Sequence, residues 1–215
     1  MNASMTSHIV LLGDSIFDNG AYTGGAPDVV GHLRTLLPSS WRASLSAVDG
    51  STTADLHAQF AGVAPDASHL VVSIGGNDAL LNSDLLARPV SSTTEALTLF
   101  GVRVGRFEAA YRAAIDGALA LARDTTVCTI YNGNLGPREA PLARVALMMF
   151  NDVILRVAFE RRLGVIDLRL VCSDPADYAN PIEPSDRGGR KIARAVAVSV
   201  GAVDGHARPS TVRFA

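Results

Sequence analysis

Short apolar runs recur along this chain at residues 8–12, 43–48, 69–74, 126–131 and 164–168, with helical patterns between them. Runs of that length suit strands buried on both faces, as in a parallel sheet covered by helices. The intervening stretches carry the other period. Residues 28–37 form a short pattern that stops at Pro38, and residues 51–60 open on Ser and Thr caps with Asp55 in the first turns. Residues 94–122 are long, with Leu97, Phe100, Val104, Phe107, Tyr111, Ile115 and Leu119 spaced by three and four. Residues 139–162 make a second long amphipathic stretch, and residues 185–200 close the series with Ser185 as N-cap. The order βαβαβαβαβα predicts one α/β domain over residues 1–215, a five-stranded parallel sheet between two helical layers, with residues 201–215 as an irregular tail.

One core suffices for 215 residues of 48% hydrophobic and 19% charged content, and no Pro-, Gly- or Ser-rich linker or internal repeat divides the chain. A formal charge of −2 gives no electrostatic ground for binding nucleic acid or an anionic membrane. Lys191 is the only lysine, and the arginines are scattered without a basic block. The opening residues 1–7 are polar, and the apolar run after them is too short for a signal peptide or a membrane span. A cytoplasmic protein is therefore expected. Cys128 and Cys172 lie far apart and fit no metal spacing; Cys128, inside a strand-like run, reads as a buried inert thiol.

Ligands of such a sheet gather beyond the carboxyl ends of its strands. Gly13-Asp14-Ser15 follows the first run, and its glycine permits a sharp turn that would hold the Ser15 hydroxyl above the sheet with nearby N–H groups free. An ordinary capping serine is the plainer alternative. Gly75-Gly76-Asn77-Asp78 follows the third run. The Asn77 amide beside a backbone N–H would suit a tetrahedral oxyanion, although the same residues make good turn chemistry in any setting. Gly50, past the second run, would add a backbone donor, or simply serve as the glycine of a strand–helix turn. Tyr131-Asn132-Gly133-Asn134 follows the fourth run, as pocket wall or turn.

Gly13-Asp14-Ser15, Gly50, Gly76-Asn77-Asp78 and the late Pro181-Ile182-Glu183-Pro184-Ser185 stand in the order seen in the SGNH (GDSL) hydrolases, and the chain resembles that family from residue 13 to about 193. The resemblance implies a flavodoxin-like three-layer α/β/α sandwich and a serine esterase, lipase or acyl hydrolase with no metal or cofactor. Its partner would be a small-molecule ester or acylated substrate. Ser15 would be the nucleophile. The Ser15 and Gly50 backbone N–H groups and the Asn77 side chain would form the oxyanion hole. Acyl transfer to an alcohol, or ligand binding without turnover, are the other uses open to such a pocket.

The last block departs from the family pattern of Asp-x-x-His, in which histidine is the base and aspartate orients it. Here Asn180 and Glu183 hold those positions. Unperturbed glutamate titrates near 4.3 and histidine near 6.5, so glutamate is the weaker base by roughly 3 kcal/mol, a deficit that burial would reduce. Asn180 would donate a hydrogen bond to the carboxylate where aspartate would repel it. Glu183 with Asn180 is thus the expected base and orienter, against the alternative of a solvated acid near a helix N-terminus. The histidines offer little in its place. His57 falls on a helix, His69 opens a buried strand, His8 and His32 lie off the site edge, and His206 is in the tail. Loops at residues 22–27, 80–92 and 132–141 are the expected pocket walls.

Overall fold

The computed structural model describes residues 7–205. Its sheet holds β1 (Ser7–Gly13), β2 (Trp41–Leu45), β3 (His69–Ser73), β4 (Asp124–Cys128) and β5 (Gly164–Ile166), all parallel, in the order β2-β1-β3-β4-β5. The helices are α1 (Val29–Leu36), α2 (Leu56–Gln59), α3 (Gly76–Leu80), α4 (Thr93–Leu119), α5 (Ala140–Glu160), α6 (Leu168–Val171) and α7 (Asp186–Ser199). This is the expected flavodoxin-like three-layer α/β/α sandwich. Its strand order reverses between β1 and β3, the switch point at which such sheets open a crevice.

Successive side chains of a strand face opposite ways, so each strand feeds two cores. Ile9 and Leu11 of β1 join the cluster containing Val30 and Leu33 of α1 and Ile192 and Val196 of α7. Val10 and Leu12 join the cluster of Phe107, Tyr111 and Ile115 of α4 with Phe150 and Ile154 of α5. Helices α1 and α7 therefore cover one face, and α4 and α5 the other. Cys128 and Cys172 are buried free thiols.

Local chemistry sets the helix starts. The Asp28 side chain accepts from Gly31 N (2.7 Å), Ser92 from Glu95 N (3.1 Å), and Ser185, the expected N-cap of α7, from Gly188 N (3.2 Å). Several segments are shorter than their patterns: the runs at residues 43–48 and 164–168 leave the sheet after Leu45 and Ile166, and two more have a clear local cause. The helix expected from residue 51 begins only at Leu56, because Asp55 Oδ2 takes Thr52 N (2.8 Å) and Asp78 Oδ2 takes Thr53 N (3.0 Å), fixing a turn instead. The run at residues 126–131 leaves the sheet after Cys128. There the Asn151 side chain on α5 accepts from Ile130 N (2.7 Å) and donates to Ile130 O (2.8 Å), acting as a one-residue strand partner. Residues 201–205 are turn and coil; the rest of the expected tail, with His206, lies outside the described residues. Among the described residues, no helix is long and apolar enough to cross a membrane.

Candidate active site

Gly13 ends β1 with φ +131°, and Asp14 N turns back to donate to Ser73 O of β3 (3.1 Å). A buried glutamine locks this turn. Gln59 of α2 accepts from Gly13 N (2.8 Å) and donates to Gly13 O (2.7 Å) and Ser51 Oγ (3.2 Å). Ser15 follows, 8% exposed, and its Oγ donates to Glu183 Oε1 at 3.1 Å across the switch point. The Ser15 N–H has no partner among the described residues.

Asn77 lies in the first turn of α3, just past β3. Its Nδ2 donates to Ser51 O (2.9 Å), the one bond that amide nitrogen makes among the described residues, so its other N–H is free. Asp78 accepts from Thr53 N (3.0 Å) and Thr53 Oγ1 (2.6 Å), tying α3 to the same loop.

Glu183 is held by a clamped loop. Tyr178 and Pro184 form a bridge, Ala179 N donates to Glu183 O (2.9 Å), the Tyr131 hydroxyl donates to Ile182 O, and buried Asn19 donates to Pro184 O (3.3 Å). Fully buried Asp177 anchors the loop's base by accepting from Lys191 Nζ (2.7 Å) of α7, which gives the single lysine a structural task. Glu183 itself is 7% exposed, and its Oε2 is buried with no partner among the described residues. Burial pushes this carboxyl above the usual glutamate range, opposed by the Ser15 hydrogen bond and assisted by the charge of Asp49.

Ser15, Asn77 and Glu183 line one cavity of about 140 Å³, together with Asp14, Tyr131, Asn132 and Gly133. Of the expected wall loops, residues 80–92 and 132–141 contribute and residues 22–27 do not. Two expectations need amending. Asn180 does not donate to the Glu183 carboxylate. Its Oδ1 accepts from Ile182 N and Glu183 N, each at 2.9 Å, so it shapes the loop through the backbone, a local turn that competes with any reach towards the acid. Gly50 is exposed and lines a separate depression with Asp49 and Ser51, meeting the site only through Ser51. His57, His69, His8 and His32 are absent from the cavity, as expected. Among the described residues, no three His, Cys, Asp or Glu side chains are grouped so as to hold a metal ion.

The sequence matches the GDSL-like lipase/acylhydrolase family over residues 11–191. The chain belongs to that family. No curated protein matches it. Similar solved structures include an extracellular lipase from Streptomyces rimosus, 16% identical, TM-score 0.68, covering 92% of this chain and 100% of that one. Another is a catalytic mutant of an acetylxylan esterase from Geobacillus stearothermophilus, 21% identical, TM-score 0.66, covering 94% and 97%. A member of the lipolytic G-D-S-L family from Veillonella parvula is 17% identical, with TM-score 0.65 and coverage of 90% and 97%. The family's fold therefore extends over nearly the whole chain.

Asp14, the acid of the family's Gly-Asp-Ser word, is buried in the cavity wall. Burial lifts its carboxyl from 3.8 to about 7, against the hydrogen bond from Ile16 N and with help from the charges of Glu183 and Asp78. A carboxyl with a folded pKa above its unfolded value keeps its proton longer when folded. Folding then takes up a proton between about pH 4 and 7, and stability falls as pH rises through that window. The ionised acid costs the fold on the order of 4 kcal/mol. Asp14→Asn is expected to flatten this slope and raise Tm at pH 8 more than at pH 4, as measured by calorimetry. Equal gains at both pH values would refute it.

Proposed function

We propose that the protein hydrolyses carboxylic esters through an acyl-Ser15 intermediate, with Glu183 as base. The observation that carries this reading is the 3.1 Å hydrogen bond from Ser15 Oγ to Glu183 Oε1 within a cavity that Asn77 also lines. As Ser15 Oγ attacks the ester carbonyl, its proton passes to Glu183 Oε1 and the carbonyl electron pair moves to oxygen. The oxyanion takes hydrogen bonds from the free Asn77 N–H and the Ser15 backbone N–H. Gly50, the third donor the family resemblance calls for, lies outside this cavity, so the oxyanion rests on these two groups. Collapse expels the alcohol, which takes its proton from Glu183. Water then attacks the acyl-enzyme by the same route, releasing the acid and restoring Ser15.

A glutamate suits this work only if its basicity is raised. Burial and an unpartnered Oε2 both do so, since each destabilises the ionised form. The cavity lining carries two carboxylates, Asp14 and Glu183, and no Lys, Arg or His among the described residues, so an uncharged ester fits it better than an anionic one.

A fluorophosphonate is expected to form one covalent adduct, at Ser15, detected by mass spectrometry of the tryptic peptide and lost in Ser15→Ala. p-Nitrophenyl esters should turn over with the same dependence on Ser15. Folded protein that takes no label anywhere between about pH 5 and 9 would overturn the reading and leave ligand binding as the use of the pocket.

A further inference from the structure

The cavity is lopsided, and its two ends come from different layers of the sandwich. Glu183 arrives on the loop that leads into α7, on the face α7 shares with α1. The far end lies on the opposite face, between α3, α4 and α5. It is walled by Leu80, Leu86, Phe100, Ile130, Leu147 and Phe150, and none of these carries a polar group at its tip. Two of the walls, Leu80 and Leu86, stay 45% and 41% exposed, apolar surface that a ligand would cover.

The chemistry of the proposed reaction decides which half of an ester goes there. The leaving alcohol must collect its proton from Glu183, so it lies on the α7 side. The carbonyl oxygen faces Asn77, and the acyl substituent is left to run towards α4 and α5. The volume bounds its length. The whole cavity, about 140 Å³, is close to the engineered apolar cavity of about 150 Å³ that takes up a six-carbon ring. It holds the ester carbonyl at Ser15 as well as the chain, so about six carbons, with the carbonyl carbon among them, is the upper bound for the acyl group. Ala143 and Ala146 of α5 also line it, and a larger side chain at either place would fill the arm.

We propose that this arm is an acyl-chain site for a saturated chain of about six carbons, and that Ala146 sets its depth. This rests on Ser15 being the nucleophile of an ester hydrolase. Each buried methylene is worth about fourfold in kcat/KM, the equivalent of about 0.8 kcal/mol. Lengthening the acyl group from acetate to hexanoate should therefore raise kcat/KM by roughly 10²-fold, with no further gain once the arm is full.

The test measures kcat/KM for p-nitrophenyl acetate, butyrate, hexanoate and octanoate with wild type and Ala146→Phe. Wild type should prefer hexanoate, and Ala146→Phe should cut the hexanoate-to-acetate ratio at least tenfold. Ser15-dependent turnover with acetate as the best substrate would overturn the inference while leaving the hydrolase reading intact. Absence of any Ser15-dependent turnover would instead count against that reading. Binding of 1-hexanol to folded Ser15→Ala protein, followed by ligand-observed NMR, reads the arm without chemistry. Hexanol should bind where ethanol does not, and adding Ala146→Phe should abolish it; no hexanol binding, or binding indifferent to Ala146→Phe, would remove the arm as an acyl site.

Discussion

Glu183→Gln is expected to lower kcat on an activated ester by roughly 10³-fold, within the span over which a positioned base contributes. The amide has the shape of the acid and can still accept the Ser15 hydroxyl's hydrogen bond, so the geometry survives while proton uptake does not. In wild type the base must be ionised to work. Its burial-raised pKa therefore moves the acid limb of kcat/KM above the usual glutamate range, and the rate climbs through that limb to a plateau at higher pH. Stability should move the opposite way to rate. A carboxyl with a raised folded pKa costs the fold most when ionised, so Glu183→Gln should raise Tm at pH 8 more than at pH 4. Loss of turnover with a gain in stability is the signature of a site group held against its own solvation. Glu183→His should return part of the rate with a shifted limb. It should not return all of it, because the Asn180 oxygen is already taken by two backbone N–H groups and leaves an imidazole without an orienter. A Glu183→Gln enzyme that keeps the wild-type rate would remove this residue from the mechanism.

What the sequence made legible follows from periodicity. Strands covered on both faces read as unbroken apolar runs, and β1, with every residue from His8 to Gly13 buried, is the clearest case. The strand ends converge by topology alone, which is why Ser15 and Asn77 could be brought together from residues more than sixty positions apart without knowing any side-chain contact. The Ser185 cap was equally plain, because its capping bond is local, whereas the Ser and Thr residues read as caps at the start of 51–60 cap no helix.

The supports of the site were not legible, because they rest on contacts between distant segments. Gln59 is an unremarked polar residue in a helical pattern until Gly13 is folded against it. Asn151 reads as one polar position on an amphipathic helix, yet it ends β4 and bends Ile130 and Tyr131 into the cavity wall. The sequence places Asn180 in the right neighbourhood and predicts the wrong bond. A residue three before an acid can reach either its carboxylate or its backbone N–H, and only the loop's path, set by Asp177 and Lys191 among others, decides between them. Asp14 offered a signal that could have been used: an acid directly after an unbroken apolar strand must sit in or beside the core.

Gly13→Ala is expected to cost the protein more than about 4 kcal/mol, enough to leave it largely unfolded or insoluble. A Cβ at this position would meet the Ser73 carbonyl oxygen at 1.7 Å and its carbon at 2.6 Å. Both belong to the backbone of β3, paired with Gly13 at the carboxyl ends of two central strands, so neither can rotate away as a side chain would. The same residue has φ +131°, a region L side chains seldom enter, so conformational strain adds to the clash. Relief requires β1 and β3 to separate where Asp14 N meets Ser73 O, and that separation would pull Ser15 away from Asn77. Gly50→Ala is the control. Its φ of +79° carries strain of the same kind, but a Cβ there meets nothing within 4 Å, and about 1–2 kcal/mol is expected. Urea denaturation of the two variants separates backbone collision from backbone strain. Near-wild-type stability in Gly13→Ala would mean that the approach of β1 to β3 is looser than these distances describe, and that the nucleophile turn is not held by the sheet.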